Sequence, residues 1–167
     1  MNEPVDEFEF FLEKIWSDGF PVVTPTEERI ARILGGTKRD PAEVIGPIPP
    51  AMETATVRDI AVHALMAGCR PEYLPVVLAA VEALLDPQFD VLGLQATSDP
   101  AAPLVIVSGP VVEQVGINHG IGLFGHGSRA NATIGRAVRL LMVNAGGGHP
   151  ESGDKSTMGS PSKYSYC

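Results

Sequence analysis

Gly116, Gly120, Gly122, Gly125 and Gly127 fall within one short stretch that runs directly into Ser128, Arg129 and Asn131. Glycine at this density permits positive φ and lets backbone amides approach a ligand with no β-carbon in the way. A helix opening at Ser128 would add unpaired amides and a positive dipole end. The segment therefore reads as a loop for a carboxylate, phosphate or sulfonate, with Gly125, Gly127, Ser128, Arg129 and Asn131 as the substrate-binding set. His119 and His126 flank it and are the candidates to move protons. The same residues also fit a structural account in which the glycines allow a tight buried turn, Ser128 is an ordinary N-cap, and Arg129 and Arg136 are solvated on the outer face of the helix.

Two nucleotide motifs are matched in form and fail in context. Gly120 to Gly125 spells G-x-G-x-x-G, but no strand ends directly before it and no ribose-binding acid follows about 20 residues on. Gly122 to Gly127 has the outer spacing of a phosphate-binding P-loop, yet Ser128 stands where the lysine belongs.

Cys69 lies at a helix junction, between Gly68 and Arg70-Pro71. There a helix N-terminus and a neighbouring cation would favour the thiolate if the side chain is exposed; a buried, space-filling cysteine is the alternative. Cys69 joins His119 and His126 as the candidate catalytic set. His63 stands one turn after Asp59, a spacing at which a carboxylate orients an imidazole. His119 and His126 have no recognised metal-ligand spacing, and the two cysteines, Cys69 and Cys167, form no CxxC. No metal site is expected, and no motif specifies a cofactor.

The elements that would position these groups follow from periodicity. Residues 4 to 17 carry Val5, Phe8, Phe11, Leu12, Ile15 and Trp16 at helical spacing, an acidic N-terminal helix closed by Asp18-Gly19. A second helix starts at Thr24 to Glu28 with a capping threonine and ends at Gly35-Gly36. Pro41, Pro47, Pro49 and Pro50 make residues 40 to 50 an extended connector. Thr56 opens a third helix that Gly68 ends, and a fourth runs from Pro71 or Pro75 to Leu85. Residues 89 to 97 and 104 to 108 read as short strands. Arg129 to Ala145 reads as a central helix.

The expected class is thus α+β or α/β in a single domain. It has a helical N-terminal half, short strands in the middle, and a glycine-rich loop leading into the central helix. Residues 1 to 19 form the acidic helix, 20 to 145 the core domain, and 146 to 167 a tail rich in Gly, Ser and Pro. That tail has almost nothing to bury, so alone it would be disordered or draped over a partner.

The chain of 167 residues carries a formal net charge of -8, much of it in the first 18 positions. With no cluster of Lys and Arg, nucleic acid and anionic membrane surfaces are not the expected partners. No stretch approaches the roughly 18 apolar residues of a membrane span, and the acidic N-terminus is unlike a secretory signal, so the cytoplasm is the expected location.

Five blocks carry a resemblance: Met66 to Tyr73 (MAGCRPEY), the following PVVL, Gln95 to Thr97, Ala102 to Val107 (APLVIV) and Arg129 to Arg136 (RANATIGR). Together they resemble a bacterial domain family found beside, or fused to, UGSC proteins, which bear a selenocysteine-Gly-Ser-Cys or Cys-Gly-Ser-Cys motif. The likeness covers most of residues 20 to 167. It implies a hetero-oligomer in which a UGSC-type thiol or selenol subunit supplies the redox or nucleophilic centre. This chain has no such motif of its own. Similar sequences continue beyond the Tyr-Cys end, which implies that the chain is a piece of a longer one or of a split gene.

Residues and resemblance combine into one expectation: a subunit of a hetero-oligomeric enzyme acting on a small anionic or polar organic substrate by thiol-assisted reduction or lyase-type cleavage. Two alternatives stand beside it, a non-catalytic assembly or substrate-presenting subunit and a metal-dependent hydratase or hydrolase using His119 and His126.

Overall fold

A computed structural model describes residues 6–167. The chain is helix-rich α+β in one domain: α1 (Glu7–Glu13), α2 (Glu27–Leu34), β1 (Val44–Ile48), β2 (Glu53–Thr56), α3 (Val57–Ala67), α4 (Leu74–Leu84), α5 (Val91–Ala96), α6 (Val111–Val115) and α7 (Arg129–Asn144). The sheet is a single antiparallel hairpin of β1 and β2. With no parallel strands and no crossover helix among the described residues, the α/β alternative falls away.

α7 is the central element. Ala130, Ile134, Ala137, Val138 and Leu141 are at most 1% exposed, and Leu140 and Met142 are fully buried on its other sides. α7 is thus enclosed on most sides along its middle, although it also carries the buried Asn131 and Arg139. α3 packs along it most extensively, with α4 against both and α2 behind α3. Each large aliphatic side chain buried there contributes about 1.5–3 kcal/mol. α3 opens on a capping box: the Thr56 side chain accepts from the Asp59 amide while the Asp59 carboxylate takes the Thr56 amide at 2.8 Å.

The strands lie elsewhere than the alternation of residues 89 to 108 suggests. Asp90 accepts from the Gly93 amide at 3.1 Å and caps α5, so residues 91–96 are helical. Residues 104–108 keep an alternating pattern, with Val105 and Val107 turned to the core and Ile106 81% exposed, but no strand lies beside them. An apolar alternating run becomes a strand only where a second backbone completes its ladder. Here the Val105 amide bonds the Tyr166 carbonyl, at 2.9 Å. The proline-rich connector instead supplies β1, turning back through Pro49-Pro50 onto β2. A hairpin edge tolerates Pro47 and Pro49.

The N-terminal helix is shorter than its apolar spacing. It runs from Glu7 to Glu13 under an Asp6 cap, and Ile15, at φ 54°, leaves the helical region. Ile15 and Trp16 are exposed, and Val5 lies outside the described residues.

The tail folds back over α7 of its own chain. Gly135 is where it crosses: a β-carbon there would stand 2.5 Å from Ser165 Oγ and 2.6 Å from the Tyr166 nitrogen. Asp154 and Cys167 are buried in this return. Polar anchors on α7 hold it, compensating for its scarcity of apolar side chains.

Candidate functional site

The first turn of α7 gathers most of the singled-out residues. The Ser128 side chain accepts from the Asn131 amide and donates to Asn131 Oδ1 at 2.6 Å. Asn131, 5% exposed, is a hub. Its Oδ1 also accepts from the Asn118 amide at 2.8 Å, and its Nδ2 faces the carbonyls of Asn118 at 3.0 Å, Leu123 at 3.4 Å and Cys167 at 3.0 Å. A primary amide has two donors and one double acceptor, so the chain itself occupies Asn131 fully. The side chain fastens the loop and the tail to the helix and has no capacity left for a ligand.

The loop above this anchor is exposed rather than tightly buried. Gly116, Gly120, Gly122, Gly125, His126 and Gly127 all face solvent, and Ile121 and Phe124 stand out from it. Gly127 sits at φ 111° with nothing near the position of a β-carbon, so its glycine serves backbone conformation. Among the described residues the amides of Gly127, Ser128, Arg129 and Ala130 have no partner. They are the unsatisfied donors of a helix start.

Cys69 reaches the same region from beneath. Its Sγ contacts the Thr133 carbonyl at 3.3 Å, and Arg129 Nε donates to the Gly68 carbonyl at 3.0 Å. The thiolate-favouring setting is reversed, because Cys69 is 4% exposed. Burial pushes its thiol up to about 11, against the pull of Arg129. Cys167 is likewise buried and raised to about 11. Both are free thiols.

The histidines do not join them. His119 pairs with Glu113 at 3.1 Å on the exposed side of the loop, and His126 is exposed. Among the described residues no group of three His, Cys, Asp or Glu side chains comes together. His63 is oriented by a backbone group: its Nδ1 is 2.8 Å from the Asp59 carbonyl, while the Asp59 carboxylate is engaged in the capping box. Burial lowers its pKa. Arg136 is also engaged, with Nε and Nη2 gripping Asp18 at 2.8 and 2.7 Å.

A second polar centre went unread in the sequence. Arg139, between Val138 and Leu140 on α7, is 6% exposed and bonds Asp154 Oδ2 at 2.7 Å; Lys163 Nζ meets the same oxygen at 2.7 Å. Burial alone would raise the Asp154 carboxyl, but the Lys163 hydrogen bond, the Ser156 amide and the two cations hold it below its usual range. The available signal was a single charge set inside the apolar run of α7; its partners come from the tail and share no periodicity with it.

Comparison of the chain with protein-family models, with curated proteins and with solved structures gives no match in any of the three. Among the described residues no helix is long and apolar enough to cross a membrane.

Proposed function

We propose that this chain is one subunit of a hetero-oligomeric enzyme acting on a small anionic or polar organic molecule by thiol-assisted reduction or lyase-type cleavage. One observation carries the reading: the glycine loop is fastened at its base by Asn131, yet the amides of Gly127, Ser128 and Arg129 have no partner among the described residues, and Gly127 and Arg129 face solvent. Such amides at the start of a well-packed 16-residue helix suit an anionic head group. Ser128 and Arg129 border them, and His119 and His126, exposed on the same loop, are the groups that would move protons. With Cys69 buried, it supports the site from behind, and a UGSC-type partner supplies the reacting thiol or selenol. Two free thiols fit a reducing compartment, so the cytoplasm is the proposed location.

Reconstitution with the UGSC-type protein tests this. Co-elution as a stable complex and turnover lost on His126→Ala or Ser128→Ala are expected. Full turnover in both variants would show that the loop does not hold the substrate.

Ile121 and Phe124, exposed at 103% and 60%, favour a second reading in which the loop is a docking element of a non-catalytic subunit. Under that reading Ile121→Ser abolishes complex formation while Ser128→Ala leaves turnover intact.

A further inference from the structure

The C-terminal half of α7 and the returning tail line a half-open cavity of about 580 Å³, a volume suited to a small organic ligand. Arg139, Asp154 and Lys163 stand in one wall, with Asp18, His149 and Ser160 also lining it. Apolar contacts come from Val143, Pro150, Met158, Pro161 and Tyr164.

The charge in this wall does not balance. Asp18 is neutralised by Arg136. Asp154 faces both Arg139 and Lys163, so one buried and one half-buried cation share one carboxylate and one positive charge is left over. Asp154 has little left to offer either, because its Oδ2 takes both cations and its Oδ1 accepts the Ser156 amide at 3.0 Å. Among the described residues Lys163, with three N–H donors, bonds only Asp154, and Arg139, with five, otherwise reaches only Gln95 Oε1, at 3.5 Å. A cation held away from bulk water without its own counter-charge is stabilised when an anion meets it. In a chain of net charge -8, this is a local exception.

We infer that this cavity binds an organic anion with a single carboxylate head, held by Lys163 and Arg139, and an apolar body lying against Val143 and Met158. One surplus charge matches a monoanion, and the apolar walls suit a short aliphatic chain better than a phosphate. Arg139 follows Arg129 by ten residues on α7, which puts the cavity about 15 Å along the helix axis from the glycine loop. The site is therefore distinct from the loop and stands or falls separately from the proposed function.

Straight-chain carboxylates from acetate to hexanoate, butyramide and inorganic phosphate are titrated into the ¹⁵N-labelled protein and followed by NMR. Saturable shifts in residues 149 to 164 are expected for butyrate or a longer acid below about 10 mM, with butyramide at least about tenfold weaker. Lys163→Met, which leaves Asp154 paired with Arg139, should weaken butyrate by about tenfold or more. Met158→Trp, at the exposed rim, should block entry without touching the buried charges, and it decides the matter if Lys163→Met does not fold. Ser128→Ala should leave butyrate binding unchanged. The inference is overturned if no acid saturates, if butyramide or phosphate binds as well as butyrate, if Met158→Trp binds normally, or if Ser128→Ala alone abolishes the shifts.

Discussion

Asn131 and Asn118 are joined twice, the Asn118 amide donating to Asn131 Oδ1 at 2.8 Å and Asn131 Nδ2 donating to the Asn118 carbonyl at 3.0 Å. A side-chain amide here plays the part of a neighbouring strand, offering one donor and one acceptor to a single residue's backbone. The loop that looked free in sequence is thereby fixed where it leaves α6 and where it enters α7.

Asn131→Ala should therefore cost about 2–3 kcal/mol, because it leaves a buried amide and carbonyls unpaired. Asn131→Asp should be comparably damaging, since a carboxylate would face the Asn118 and Cys167 carbonyls. Urea denaturation gives the stability, and hydrogen exchange should show protection lost at Asn118 and at the tail. A loss below about 0.5 kcal/mol would contradict the hub.

Cys69 and Cys167 should resist Ellman's reagent in the native protein at pH 8 and react fully in denaturant. Each thiol titrates near 11 when folded against an ordinary 9.0, so the unfolded chain ionises first. The associated stability is complete below pH 9 and declines as pH rises toward 11. Rapid native labelling of Cys69 would show that its burial is not maintained.

His63 gives a dependence at the other end of the scale. Its folded pKa lies below 6.5, so the unfolded chain takes up the proton first. Stability is complete above about pH 6.5 and falls as pH drops from there toward the lower folded value. Urea midpoints measured from pH 7.5 to 5 should show this slope, and His63→Gln should flatten it.

Asp154→Ala strands Arg139 as a buried cation beside the half-buried Lys163 and should destabilise by about 3–5 kcal/mol. Lys163→Met should cost distinctly less, because the Arg139–Asp154 pair survives it. Equal costs, measured by denaturant unfolding, would argue that Lys163 is as integral to the fold as Asp154.

At Gly135 two effects oppose. Alanine gains about 1 kcal/mol of helix propensity in the interior of α7. Its β-carbon, however, would stand 2.6 Å from the Tyr166 backbone nitrogen, where yielding means displacing the tail. Overpacking costs about 1–3 kcal/mol, so Gly135→Ala should be net destabilising and should speed proteolysis between residues 146 and 167. A stabilised variant with an intact tail would show that the tail does not pack closely on α7.

The sequence by itself determined the helices with strong local signals. The apolar spacing of residues 130 to 141 and the Ser128 cap fixed α7, and Thr56, Asp59 and Gly68 bounded α3. It also marked the glycine segment, because backbone freedom is written in residue type. What only the tertiary structure decided were matters of partnership. Residues 104–108 have the alternation of a strand but no neighbouring strand among the described residues, whereas 44–48, within the proline-rich connector, found one in β2. Cys69 had the neighbours of a thiolate, but burial under α7 outweighs them. Arg139 gained its carboxylate from a tail 15 residues away, across a return that no local pattern encodes. Periodicity and capping act within a few residues and can be read along the chain; ladder pairing, desolvation and buried ion pairs depend on which distant groups are brought together.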